Sequence, residues 1–195
     1  IKHFMSYYLS KRIFDIMLSI FISLLLIIPI LSIFLLHTFL YKDSFIYWSK
    51  RIGINNSIFL MPKIRTMISS APDVATHLMI HQDIYITKLG SFLRLTSMDE
   101  ILQLWSIAKG EMSFVGPRPA LYNQKDLIDL RNKFNINKLV PGVTGLAQIN
   151  GRDSLSISDK VDIEKEYLIK RSFFFDFKII IMTFLVIFKR SNIKH

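Results

Sequence analysis

The chain of 195 residues contains no cysteine. That excludes a disulfide scaffold, an iron–sulfur protein, a thiolate zinc site and a thiol nucleophile, and it fits the reduced cytosol. Acidic residues are scarce. Fifteen Asp and Glu face 25 Lys and Arg, a formal charge of +10, with a pI near 9.8. The natural partners of such a chain are anionic: nucleic acid, an acidic lipid surface or a phosphorylated substrate. Polar low-complexity sequence is lacking too. Hydrophobic residues make up 51%, with 16 Phe, 7 Tyr and 2 Trp, and this rules out a disordered polar chain. The length is below the roughly 250–300 residues at which one core stops growing, so one domain, or one domain with a membrane segment, is expected. The first residue is Ile1 rather than Met, which leaves room for an upstream portion.

The hydrophobic residues are unevenly spread. From Ile16 to Tyr41 no residue is formally charged, and about twenty such residues suffice to cross a bilayer as a helix. A cleaved signal peptide fits poorly, because the run is too long and no small-residue cleavage site follows. A buried core helix fits less well than lipid, given apolarity on every face. Lys2, Lys11 and Arg12 precede the run, and Lys42, Lys50 and Arg51 follow it. Positive charge on both flanks leaves the orientation unspecified. A re-entrant helix would satisfy both flanks, and Pro29 near the middle can kink it. Many spanning helices also carry a proline, so physics alone ranks spanning first.

Beyond the run, residues 44–67 alternate as a short β-hairpin turning at Asn55-Asn56. Residues 68–90 are mixed, with a helix expected from Ser70-Ala71-Pro72. Asp73, His77 and His81 are spaced four apart there. They are solvated positions rather than a metal site, which would need a further donor and second-shell support. At the C-terminus Phe173–Phe188 is interrupted by Asp176 and Lys178. Its uninterrupted part is too short to span, and it fits either an interfacial helix, with Lys189 and Arg190 at headgroups, or a core helix.

The sharpest local signal is Ser97-Met98-Asp99-Glu100, which reads as a capping box with Ser97 as N-cap and Glu100 at the third helical position. Met98, Ile101, Leu102, Trp105 and Ala108 form the expected apolar stripe, and Gly110 ends the helix. Two acids in a first turn ordinarily just complement the helix dipole. A helix N-terminus also keeps a carboxylate ionised, and an ionised Asp is a competent nucleophile or Mg²⁺ ligand. The residues that follow favour function. Gly116-Pro117-Arg118-Pro119 fixes the backbone around one guanidinium, as bidentate phosphate binding requires. Pro141-Gly142-Val143-Thr144-Gly145 and Asn150-Gly151-Arg152 read as a loop with backbone amides free for a ligand, ending in Arg152. With Arg94 and Arg65, these arginines suggest a phosphate-rich substrate beside a carboxylate pair.

The stretch from Thr87 to Pro119, TKLGSFLRLTSMDEILQLWSIAKGEMSFVGPRP, resembles the signature of the bacterial sugar transferases, the small monotopic phosphoglycosyl transferases. The resemblance runs from the hydrophobic segment through Arg51, Gly53 and Lys63-Ile64-Arg65-Thr66-Met67 to PGVTGLAQINGR at 141–152 and Asp176-Phe177-Lys178. Departures are Ile28, where the family has Ser before the membrane proline, Ile64 for an aromatic, Ser106 for Asn, and Val140 for an Arg before the glycine loop.

The resemblance implies a mainly α fold with a small β-hairpin. A re-entrant membrane helix would occupy residues 1–42, and a compact cytoplasmic catalytic domain with interfacial helices residues 43–195. It implies transfer of a phospho-sugar from a UDP-sugar to polyprenol phosphate, with release of UMP, at the start of O-antigen, capsule, exopolysaccharide or glycoprotein assembly. Asp99 would be the nucleophile and Mg²⁺ contact, and Glu100 its catalytic partner. Lys63, Arg65, Arg94, Arg118 and Arg152 would bind substrate, and Pro29 would break the membrane helix. The implied location is the cytoplasmic face of the bacterial inner membrane, without nucleic acid. A membrane-anchored nucleic-acid-binding module would also explain the charge, but these arginines cluster at turns beside acids rather than along one tracking face. A non-catalytic scaffold would have no use for Asp99.

Overall fold

The computed structural model describes residues 2–71, 82–151 and 154–191. Its uncharged N-terminal run lies in two helices, α1 (Lys2–Leu25) and α2 (Ile27–Leu40), bent by 58° at Leu26. Pro29 explains the break. It has no N–H for the Leu25 carbonyl, and its ring crowds that oxygen. The ladder resumes with Ile30 N–H donating to Leu26 O at 2.9 Å. Among the described residues no single helix is long and apolar enough to cross a membrane; the bent pair meets that test only jointly, by length and composition.

Both ends of this pair are tied to the same body. On α1, the Arg12 guanidinium donates to Ile107 O and Ala108 O at 2.5 and 2.6 Å. These carbonyls belong to the last turn of the helix that ends at Lys109, where Ile107 O also accepts from Gly110 N–H at 3.0 Å. Lys11 Nζ donates to Val115 O at 2.9 Å and pairs with buried Asp176. Asp15 accepts from Phe114 N at 3.1 Å. Tyr7 and Tyr167 hydroxyls both donate to Asp176, at 2.9 and 2.8 Å. Lys11 and Arg12, read in the sequence as flanking charges, are thus staples between helix and body. At the far end of α2, Phe34 and His37 pack edge-on against Phe45 at 5.2 and 5.4 Å. Around the bend itself, Leu24, Leu25, Ile27 and Ile28 are exposed.

The hairpin forms as expected. Antiparallel β1 (Ile46–Ile52) and β2 (Ile58–Ile64) pair Ile52 with Ile58 and Tyr47 with Lys63. A 3₁₀ turn joins them, in which Asn55 and Asn56 take φ of 52° and 60°, a conformation asparagine tolerates better than most residues. Phe59 and Met61 face inward and join Ile107 and Met112 in one core cluster. Next come α3 (Lys88–Leu95), α4 (Gln103–Lys109) and β3 (Ser113–Val115), then α5 (Lys125–Lys133) and β4 (Gly142–Thr144). The chain ends with α6 (Leu146–Ile149), α7 (Ile157–Lys170) and α8 (Phe173–Ser191). β3 and β4 pair in parallel, Ser113 with Gly142 and Val115 with Thr144. The larger core cluster gathers Val115, Leu127, Ile136, Leu139, Val161, Tyr167 and Ile179 around that pair.

Several expectations need correction. The 141–145 stretch is not free backbone: Gly142 N–H donates to Pro117 O, and Thr144 O accepts from Gly116 N–H, each at 2.9 Å. A Cβ at Gly142 would lie 2.1 Å from Gly116 N, so glycine here serves close backbone approach. The expected stripe on α4 is also rotated. Gln103, Ser106 and Ile107 are its buried residues, and Trp105 is 60% exposed. Gly110 does end α4, at φ 88°. On α8, Asp176 and Ile179 are buried while Phe174, Phe177, Phe184 and Leu185 are exposed, so one helix serves the core and leaves a second apolar face outside. The expected helix from Ser70, with Asp73, His77 and His81, falls largely outside the described residues.

Candidate active site

The two acids do not sit in a capping box. Ser97 is left-handed (φ 58°, ψ 17°) and its side chain caps nothing. Met98–Glu100 form one 3₁₀ turn, and the α-helix proper begins only at Gln103. The expected α-helical N-terminus holding Asp99 ionised is therefore absent. What fixes the turn lies on either side of it. Thr87 caps α3 by accepting from Gly90 N–H at 2.9 Å, and Gly90 abuts the Thr66 carbonyl so closely that a Cβ would lie 2.1 Å from it. α3 is thereby held against the end of β2.

Glu100 reaches across to the hairpin instead of back along its own turn. Its Oε1 accepts from Lys63 Nζ at 2.7 Å and from Arg118 Nη2 at 2.9 Å. Burial opposes ionisation of Glu100, but the Arg118 and Lys63 charges outweigh it and hold the carboxyl well below the usual range. Burial also pulls Lys63 below the ordinary lysine value, with Glu100 offsetting only part. Asp99 is different. It makes no ion pair with a described residue, and burial raises its pKa, with Lys63 and Arg94 opposing and Glu100 adding to the rise. The pair thus splits into one acid already neutralised and one available. That division of labour is what a site with a nucleophile and a structural partner needs.

The expected arginines separate as well. Arg118 joins Glu100 directly. Arg94 Nε donates to Thr66 Oγ1 at 2.9 Å and acts electrostatically on Asp99. Arg65 stands apart: its Nε donates to Ser44 O at 2.8 Å and its guanidinium lies 5.8 Å from the Tyr47 ring centre. Arg152 lies outside the described residues. Arg51 enters the site without having been singled out as a binding residue. Its Nη1 donates to Pro119 O at 3.2 Å, and burial, with Arg118 nearby, lowers its pKa to about 10. The available signal was its place one turn of the pleat from Ser49, on the inward face of β1. Lys63, Arg94, Arg118 and Arg51 together outnumber the two acids by two charges, so the site favours an anion.

Residues 6–190 match the family model described as bacterial sugar transferase. The chain belongs to that family. Among similar sugar transferases, the exopolysaccharide production protein ExoY of Rhizobium meliloti is 35% identical over 191 residues, covering 90% of this chain and 84% of the relative. The galactosyl transferase CpsE of Streptococcus agalactiae is 34% identical over 203 residues, covering 97% of this chain but 44% of the relative. The UDP-glucose:undecaprenyl-phosphate glucose-1-phosphate transferase of Escherichia coli is 36% identical over 189 residues, covering 93% and 40%. The chain thus spans under half of CpsE and of the Escherichia coli transferase and most of ExoY. The residues of the site, from Arg51 to Arg118, lie within the matched stretch of this chain.

Proposed function

We propose that this sugar transferase moves a sugar phosphate from a UDP-sugar to polyprenol phosphate at the cytoplasmic leaflet of the bacterial inner membrane, releasing UMP. The observation that carries the reading is the contrast within the acid pair: Glu100 is held by Lys63 and Arg118, and Asp99 forms no ion pair with any described residue. In the first step an Asp99 carboxylate oxygen attacks the sugar-bearing phosphorus, forming an acyl phosphate. The bond from that phosphorus to the bridging oxygen breaks, and UMP leaves with the electron pair. In the second step an oxygen of the lipid phosphate attacks the same phosphorus and Asp99 departs unchanged. A covalent step lets one small site serve a soluble and a lipid substrate in turn.

Arg118, Arg94 and Arg51 would bind and orient the diphosphate, with Arg65 and Arg152 further binding candidates. Glu100 holds Lys63 and Arg118 in position. The donor set fits Mg²⁺ in one way only. Among the described residues no three of His, Cys, Asp or Glu gather at one point, and Glu100 is committed to two cations. Asp99 is then the protein ligand, with substrate phosphates completing the set, a usual arrangement for this ion. Bound there, Mg²⁺ would neutralise charge developing on the diphosphate.

The bent helix pair supports a re-entrant anchor. Both its ends are tied to one body, and the apolar residues at its bend are exposed. The exposed apolar face of α8 and exposed Trp105 are further groups suited to the membrane interface. UMP release from a panel of UDP-sugars, with polyprenol phosphate in detergent, tests the reading. Release that requires Asp99 is expected; no release from any UDP-sugar would refute it.

A further inference from the structure

The segment from Val115 to Ala120 carries Arg118, and its backbone carbonyls are all engaged. Val115 O accepts from Lys11 Nζ at 2.9 Å and Gly116 O from Gln148 Nε2 at 3.3 Å. Pro117 O accepts from Gly142 N and Ala120 O from Ile52 N, both at 2.9 Å. Pro119 O accepts from Arg51 Nη1 at 3.2 Å, and Arg118 O from Arg131 Nη2 at 3.0 Å. Six carbonyls in a row thus bond to six residues drawn from five elements, α1, β1, α5, β4 and α6. Pro117 and Pro119 contribute no N–H, so apart from the Gly116 N–H bond to Thr144 O at 2.9 Å the strap is held largely through its carbonyls.

Arg131 is the donor to the carbonyl of Arg118 itself, and it is locked in turn. Its Nε and Nη2 grip the two oxygens of Glu164 as a bidentate pair, with both residues buried. A buried ion pair of this kind is poor value as plain stabilisation, because desolvation cancels much of the attraction. Here it has another consequence. Glu164 fixes the rotation of the Arg131 fork so that the same Nη2 faces the Arg118 carbonyl. The backbone at Arg118, and hence the origin of its side chain, is thereby set from α5 and α7, outside the site.

We infer that Arg131, held by Glu164, is a positioning residue that acts on substrate phosphate binding through Arg118. The inference rests on the proposed transfer reaction, in which Arg118 binds the diphosphate.

The test compares wild-type protein with the double variant Arg131→Met/Glu164→Leu and with Arg131→Lys. The double variant removes both charges together and keeps apolar volume, which commonly leaves stability unchanged or raised. Its Tm should stay within a few degrees of wild type, while kcat/KM for UMP release falls about tenfold or more, mostly through KM for the UDP-sugar. In an Arg118→Ala background the same double change should alter kcat/KM less than about twofold, since the residue it acts through is gone. Arg131→Lys keeps the charge but loses the fork, so it should show the same KM effect. An activity-independent reading comes from deuterium uptake of a peptide covering residues 114–122, which should exchange faster in both variants. A well-folded double variant with wild-type KM, an undiminished effect without Arg118, or unchanged exchange would each overturn the inference. If wild type releases no UMP, the transfer reading fails, and the exchange measurement still decides whether Arg131 holds the strap.

Discussion

Replacing Glu100 by Gln keeps the shape of the side chain and removes the one negative charge that Lys63 and Arg118 share at 2.7 and 2.9 Å. Breaking a buried pair by neutralising one partner costs about 3–5 kcal/mol. The lower end applies here, because the Arg118 side chain is 38% exposed and water screens its share. A loss of about 3 kcal/mol, mostly from leaving Lys63 without its acid, corresponds to a Tm lower by about 6–12 °C for a chain of this size. Thermal unfolding in detergent micelles measures it. Adding Lys63→Met to Glu100→Gln should recover half or more of the loss, since the stranded cation is removed with it. The pH dependence has a definite sign. Glu100 has a depressed pKa, so its contribution is complete above the ordinary glutamate value of 4.5 and disappears only as pH falls through the depressed value. The Tm deficit of Glu100→Gln should therefore be the same at pH 5.5 and pH 7.5, values on the order of the mid-range for such proteins. A variant within about 1 °C of wild type would show that the pair does not hold the site together.

The other expectations concern Asp99, Arg118 and Pro29. Burial raises the Asp99 pKa, so its ionised form opposes folding above the ordinary carboxylate value of 3.8. Asp99→Asn should therefore raise Tm at neutral pH, by an amount that shrinks as pH falls through the window between the ordinary and the raised value, while abolishing turnover. A lower Tm would mean that Asp99 is a structural acid. Arg118→Lys keeps charge but loses the planar fork, so kcat/KM should fall about tenfold; unchanged kinetics would leave Arg118 as a brace for its loop. Pro29→Ala restores an N–H for the Leu25 carbonyl and should straighten the bend. A cysteine at residue 3 should be labelled from the cytoplasmic side in the parent, and labelling only from the periplasmic side would refute the re-entrant anchor.

Local chemistry explains which parts of this molecule can be read from its sequence. The hairpin is legible because two asparagines suit positive φ and the flanking residues alternate. The helix break is legible because proline acts on the carbonyl four residues earlier, within its own element. Asp99, Glu100 and Arg118 are visible as a compact motif. The capping box fails because Glu100 finds a stronger partnership with Lys63, 37 residues away, than with its own turn. The α4 stripe fails because α1 and β2 decide which side of that helix is covered, and neither is local to it. Lys11 and Arg12 read only as charges flanking the hydrophobic run until the α4 carbonyls and Asp176 are brought to them. Arg131 and Glu164 carry no local signal at all; their pairing exists only once α5 and α7 meet.

The covalent step is the central claim, and trapping it is the most direct measurement. Protein is incubated with Mg²⁺ and a UDP-sugar carrying ³²P in its sugar-bearing phosphate, without lipid acceptor, then quenched and separated under denaturing conditions. Label should appear on wild-type protein with matching UMP release, leave the protein when polyprenol phosphate is added, and be absent from Asp99→Asn. Label on Asp99→Asn, or undiminished UMP release by it, would contradict the account and remove Asp99 as the nucleophile.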